Sequence, residues 1–212
     1  MDEHTAGIDE LNLVGGRLCL DFANTIGSHD TDHPDEHLTT YHDLLVWSRR
    51  AGVLAKGDQE QLAREAAARP AEAAVIFEQA RELREVIYRI FAAVAGGRPV
   101  APADIKQFNA RLQEALAHAE LVQGGEGFEW GWELADGALE QIVWPIIRSA
   151  ADLLTAGELS RVRECSGESC GWLFVDTSRN RSRRWCDMED CGNRAKARRH
   201  YQRKRATDQQ EA

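Results

Sequence analysis

Cys165-Ser-Gly-Glu-Ser-Cys170 and Cys186-Asp-Met-Glu-Asp-Cys191 decide how the last quarter of this chain folds. Each pair keeps four residues between its sulfurs, and fifteen residues, 171–185, separate the pairs. This is the spacing of a structural zinc site built from two knuckles that offer two thiolates each. Zinc accepts four thiolates as a tetrahedron. With every place filled by protein no position stays open for water, so such a site organises a fold and does not catalyse. The reading is one structural Zn2+ per chain, held by Cys165, Cys170, Cys186 and Cys191. Two disulfides compete with it, and a reducing cytosol and the paired spacing weigh against them. An iron–sulfur cluster is the third option and suits the double knuckle less well. A window of about 45 residues buries too little apolar surface to fold well unaided, so the ion is expected to supply the missing free energy and the module to unfold without it.

Between the knuckles, Gly171-Trp-Leu-Phe-Val-Asp176 is strand-like, Thr177-Ser-Arg-Asn-Arg181 is a polar turn, and Arg183-Arg184-Trp185 returns. A hairpin bridging the knuckles is therefore expected. After Cys191 the chain runs Gly192-Asn-Arg-Ala-Lys-Ala-Arg-Arg-His-Tyr-Gln-Arg-Lys-Arg205 without a breaker. With Asn193 as N-cap this predicts a helix near 194–204. On such a helix Arg194, Arg198, Tyr201 and Arg205 share a face, and Arg199 and Arg203 lie on a second line beside Lys196. The order knuckle, hairpin, knuckle, helix is that of treble-clef and GATA-type fingers, an analogy that does not fix function.

The whole chain has 212 residues, 23.7 kDa, a net charge of −9 and a pI near 5.3. Taken as an average, that charge speaks against a polyanionic partner. The average conceals two halves. Residues 1–160 hold 13 Lys and Arg against 27 Asp and Glu, net −14. Residues 161–205 hold 13 against 6, net +7, and the tail 206–212 adds −2. Three parts follow: a body over 1–160, a finger over 161–205 and a polar tail over 206–212. In the finger Arg outnumbers Lys, which suits phosphate and guanine. Arg194, Arg198 and Tyr201 are the expected groove contacts, and Arg179, Arg181, Arg183 and Arg184 the expected phosphate contacts, with Lys196, Arg199 and Arg203 beside them. DNA is the expected partner. The competing reading is a solvated face, or a patch that docks on the acidic body or offsets the charge of the thiolates.

The body is mainly helical in pattern. Thr40 with Asp43 forms a capping box for a helix over about 40–50 that ends at Gly52. Asp58 with Gln61 opens another to about Ala68. A long stripe of Ile76, Ala80, Leu83, Ile87, Ile90 and Val94 marks a helix from about 71 to 95. Pro102 and Asp104 introduce a fourth, with Ile105, Phe108, Leu112, Leu116 and Ala119 on one face. Gly15-Gly16 reads as a tight turn. Phe128–Leu134 alternates like a strand, and Asp136-Gly137 reads as the turn to a short partner near 138–142. Trp144–Leu154 is a further apolar helix. The fold class is thus mainly α with a small β-hairpin, followed by a treble-clef-like zinc finger with four cysteine ligands, built of hairpin and helix.

These residues resemble a known pair of families. Cys191-Gly192-Asn193-Arg194, after Cys165-x4-Cys170 and before a basic helix, resembles the CGNR zinc finger. Leu18-Cys-Leu-Asp-Phe-Ala-Asn-Thr25, with Tyr41, Leu44 and Trp47 in the pattern Tyr-x-x-Leu-x-x-Trp, resembles the domain called ABATE. The resemblance implies a stress-induced bacterial transcription regulator, with a helical N-terminal domain and a C-terminal DNA-binding finger; sensing a signal or forming a dimer is the role expected here of the helical domain.

Other residues carry weaker signals. Asp21 and Asn24, with Thr25, are polar among Leu18, Leu20 and Phe22. They suggest a small-molecule effector pocket, or more plainly groups that satisfy buried backbone. Cys19 reads as a buried small hydrophobe. His29, His33 and His37 recur every fourth residue, but Pro34 makes a metal-binding helix face a poor reading and a surface loop the better one. No P-loop, nucleotide fingerprint, nucleophile elbow or HExxH stands in the sequence, so no enzyme is read. The acidic N-terminus lacks the basic and apolar regions of a secretory signal, and no apolar run reaches a membrane span, so a cytoplasmic protein without a membrane partner is expected. The rival function is a zinc-braced RNA-binding or protein-interaction module without sequence-specific regulation.

Overall fold

Gly15 and Gly16 turn the chain more sharply than other residues allow. Gly16 has a φ of +73°, and a Cβ on Gly15 would lie 2.8 Å from Leu20 Cβ. The turn leads directly into helix α1, Leu18–Ala23, whose Cys19, Leu20, Phe22 and Ala23 are all buried. The computed structural model describes residues 7–29, 31–125, 127–132 and 138–208. After α1, strand β1 (Ile26–Gly27) pairs antiparallel with β2 (Asp35–Glu36), so the His-rich stretch between them is a loop on a two-residue ladder.

Four helices follow. α2 spans Tyr41–Arg50 and begins with the expected capping box, in which Asp43 N–H donates to Thr40 Oγ1 at 3.2 Å and Thr40 N–H to Asp43 Oδ2 at 2.9 Å. α3 spans Lys56–Ala68, and α4 spans Pro70–Ala95 with proline in its first turn, where the missing N–H costs nothing. The stripe on α4 packs inward as its period requires, burying Phe77, Ala80, Leu83, Ile87, Ile90 and Phe91. Arg84 lies among them at 1% exposure, held by a two-pronged pair to Glu36 at 2.6 Å for each nitrogen and by Thr25 Oγ1 at 3.3 Å. α5 spans Pro102–Leu116.

The hairpin of the body differs from expectation. β3 (Ala119–Gly124) pairs antiparallel with β4 (Gly127–Trp132), so Phe128–Trp132 returns on the segment before it. The glycines at 124, 125 and 127 make this turn, where the sequence pattern marks them only as helix breakers. Leu139–Val143, expected as a strand, is a 3-10 turn feeding α6, Trp144–Thr155. Asp136 and Gly137 lie outside the described residues.

α6 and α4 sandwich α1, and Phe22 meets Trp47 with ring centroids 5.2 Å apart. Strands β5 (Val162–Glu164) and β6 (Leu173–Val175) close the same core. Their ladder sets Val162 opposite Val175 and Glu164 opposite Leu173. β6 therefore pairs backward with β5 and not forward with 183–185, which corrects the expected bridging hairpin. Val162-Arg-Glu164 is too short to show a strand period on its own, and its partner supplies the pairing. The last described element is α7, Asn193–Asp208.

Candidate metal centre and basic helix

The first cysteine pair sits in the loop of the β5–β6 hairpin, and the second on the turn that enters α7. Their four sulfurs all lie within 4.8 Å of one another and are buried. Cys170 Sγ and Cys191 Sγ each lie 3.7 Å from Cys186 Sγ. A tetrahedron with zinc–sulfur bonds of about 2.3 Å has edges of about 3.8 Å, so the cage has the size the ion needs. The first knuckle is also tightly packed at its bend. A Cβ on Gly167 would come within 3.2 Å of Cys191 Sγ and 3.4 Å of Cys165 Sγ. Backbone N–H groups of Gly167 and Cys186 donate to Cys165 Sγ at 3.4 and 3.3 Å. The Arg194 guanidinium donates to Cys191 Sγ at 3.1 Å. Donors aimed at sulfur stabilise thiolate over thiol, which is the form a metal binds. The Cys191 thiol falls to about 6: the Cys165 sulfur opposes ionisation, and hydrogen bonds from Cys170, Cys186 and Arg194 outweigh it. Cys170 and Cys186 are pushed up, each first by the Cys165 sulfur, because four thiolates cannot share one small space without a cation.

The residues between the knuckles wrap a buried carboxylate. Asp176 is fully buried; its Oδ1 accepts from Ser178 N at 2.9 Å and its Oδ2 from Arg183 N at 3.0 Å. Ser166 N donates to Arg184 O at 2.8 Å, tying the return segment to the first knuckle. Four expected phosphate contacts lie here. Arg179 and Arg181 are exposed at the turn, and Arg184 is exposed with its guanidinium 5.4 Å from the Trp185 ring. Arg183 is half-buried, lies 4.5 Å over the Phe174 ring, and donates to the carbonyls of Trp185 and Cys186.

A π-turn over Met188–Gly192 carries Cys191 and runs straight into α7. Its cap is Asp187, whose Oδ1 accepts from Glu189 N at 2.7 Å. Asn193, expected as the cap, instead donates from Nδ2 to Glu189 O at 2.8 Å and lies inside the helical run, a correction that moves the helix start upstream. Two cations of α7 turn toward the zinc cage. Arg194 reaches Cys191 and Asp190, and Arg198 pairs with Glu168 of the first knuckle. Ala195 is half-buried, whereas Arg194 and Arg198, like Lys196, Arg199, His200, Tyr201 and Arg203, are exposed. Glu168 and Asp187 are invisible as partners in the sequence, although an Asp two residues before an N–H at a helix start is the signature of such a turn.

The finger and the body share one seam. Asn24, buried at 1% exposure, donates from Nδ2 to Leu173 O and accepts from Leu173 N, each at 2.8 Å. Trp172 Nε1 donates to Ile26 O at 3.1 Å, Ser28 N to Cys170 O at 3.0 Å, and Val175 N to Gly15 O at 2.9 Å. Asp21 Oδ1 accepts from Gly15 N at 2.7 Å. Asp21 and Asn24 thus direct their polar atoms to backbone, the plainer of the two readings. The three histidines are not gathered: His29 stacks on Tyr88, and His37 lies 3.5 Å from Asp35. Among the described residues the four cysteines form the one His, Cys, Asp or Glu cluster close enough to hold an ion.

A family model, ABATE, described as "Putative stress-induced transcription regulator", matches residues 16–157. The chain belongs to the ABATE family. The model of the CGNR zinc finger matches residues 161–204, directly after the ABATE match. No curated protein matches the chain. The CGNR match and the tetrathiolate cage together fit one structural zinc ion. Neither family is an enzyme family by its description. The Leu18–Thr25 motif of the ABATE match is the segment that carries Asn24 against Leu173. No helix among the described residues is long and apolar enough to cross a membrane.

Proposed function

We propose that the chain is a zinc-stabilised transcription regulator that grips duplex DNA with α7. The carrying observation is the outward face of that helix. Arg194 and Arg198 point to the cage and Glu168, and Ala195 is the half-buried position. Lys196, Arg199, His200 and Arg203, at i, i+3, i+4 and i+7, then share the exposed face opposite Arg194 and Arg198. Sixteen residues make a helix of about 24 Å, long enough to lie in a major groove. The groove contacts move accordingly from Arg194, Arg198 and Tyr201 to this face. Arg179, Arg181 and Arg184 at the turn remain the phosphate clamps, and Arg183 has a packing role. The body over 1–160 senses a signal or dimerises, and the finger over 161–205 binds.

Fluorescence anisotropy with random duplex tests the reading. With about five phosphates neutralised, log K falls with log salt at a slope of about −4 to −5. A flat salt response overturns it, and structured RNA outcompeting duplex at matched salt replaces DNA with RNA as the ligand.

A further inference from the structure

Helices α4, α5 and α6 enclose a cavity of 260 Å³ remote from the cysteine cage and the basic helix. Its floor is apolar and fixed, made by the buried side chains of Leu83, Trp144 and Ile147. The Trp144 ring is held flat by the ring of His118, stacked at 4.3 Å and 6°. The rim is polar. Arg111 and Glu114 lie one turn apart on α5 and pair at 3.1 Å, so their charges cancel across the mouth. Glu140, on the opposite rim, has no ion-pair partner among the described residues. An apolar floor below a few convergent polar groups is the usual build of a small-molecule site.

We propose that this cavity binds a small lipophilic cation, an apolar body carrying one ammonium group, with the body on Leu83, Trp144 and Ile147 and the ammonium at Glu140. Volume limits the size. At about the 30 Å³ that a water takes in the liquid, the space holds on the order of ten non-hydrogen atoms. Charge decides the sign. With Arg111 and Glu114 paired, the charged or titratable groups left on the lining are Glu140 and His118, the imidazole stacked on Trp144, and residues 1–160 carry net −14, a field that concentrates cations and repels anions. The site stands apart from the DNA-binding reading and survives its failure.

The test is isothermal titration of the zinc-loaded full chain with three probes of one shape: phenethylamine, 2-phenylethanol and phenylacetate. Phenethylamine is expected to bind at one site at least tenfold tighter than phenylacetate, with the alcohol between them. Glu140→Gln is expected to bring the amine to the level of the alcohol while leaving the alcohol unchanged. Arg111→Ala, which frees Glu114, is expected to tighten the amine severalfold, a gain that mere loosening of the fold does not produce. Phenylacetate binding as tightly as the amine, an amine affinity untouched by Glu140→Gln, or no saturable amine binding up to about 10 mM overturns the proposal.

Discussion

Asn24 and Leu173, 149 residues apart in sequence, are joined by two 2.8 Å hydrogen bonds in which the side-chain amide takes both the N–H and the C=O of one strand residue. The amide acts as a third strand for β6 at a position where no strand exists. Replacing it by Ala leaves both backbone groups of Leu173 buried without partners, at about 1–3 kcal/mol each. Asn24→Ala is therefore expected to lower Tm by about 5–15 °C in a chain of this length. Asn24→Asp keeps the acceptor but loses the donor and buries a charge facing the Leu173 carbonyl, so at pH 7 its Tm falls at least as far. Thermal unfolding followed by circular dichroism reads both.

That pair also marks where the sequence stops being legible. The cysteine spacing, the Thr40–Asp43 box and the α4 stripe lie within one turn or one knuckle, and local chemistry fixes them. β5 has three residues and acquires its identity only from β6, across the first knuckle. The 119–132 hairpin is hidden because glycines end helices and make turns with equal ease. For Arg194 and Arg198 the sequence offers helical period alone, which groups residues on a face without saying what the face meets. Asp190 and Cys191 settle that for Arg194, and Glu168 for Arg198.

Zinc removal is expected to act unevenly along residues 161–205. Val162, Leu173 and Val175 belong to the core of the body, and Asn24, Gly15 and Ser28 hold the backbone around the first knuckle. α7 and the π-turn before it depend on Cys186 and Cys191. Chelation is thus expected to expose the amides of 186–205 to hydrogen exchange while 162–164 and 173–175 stay protected. Loss of protection across both segments together shows instead that the ion holds the whole finger, as the sequence window alone suggests.

Arg194 is expected to govern metal retention more than nucleic-acid affinity. Its guanidinium stabilises the Cys191 thiolate directly. Donors to a metal ligand are worth about 10–100-fold in metal affinity. Arg194→Ala should release zinc to a chromogenic chelator faster by that factor, with Arg194→Lys intermediate. Zinc release at the unaltered rate removes the guanidinium from the metal site.

The outward face of α7 predicts a contrast between neighbours. Arg199→Ala should weaken duplex binding by about 1–3 kcal/mol and relax the preference for the base it meets. Arg198→Ala removes a cation already committed to Glu168, so it should cost less and leave the base preference unchanged. Equal costs for the two variants would return the contact face to the Arg194, Arg198 and Tyr201 line.

Asp21 gives the pH dependence its sign. Burial raises its carboxyl from 3.8 to about 6 against the pull of the Gly15 N–H. The folded state therefore takes up a proton before the unfolded state does. Ionisation costs stability above about pH 6, and the cost is relieved as pH falls from 6 toward 3.8. Glu36 works in the opposite direction. Its burial is outweighed by the Arg84 guanidinium, so its carboxyl sits below the ordinary 4.5, and its contribution is lost only as pH falls through that lower value. Between pH 6 and 4.5 the Asp21 contribution thus runs without that opposing one. Asp21→Asn keeps an oxygen for Gly15 N–H and has no charge to desolvate. It should stabilise the chain at pH 7 by about 1–3 kcal/mol, with the advantage shrinking toward about pH 4.5. Urea midpoints of the two proteins, compared at each pH so that acid loss of zinc cancels, measure it. A difference that stays constant across this window shows that the Asp21 carboxyl titrates at its unfolded value.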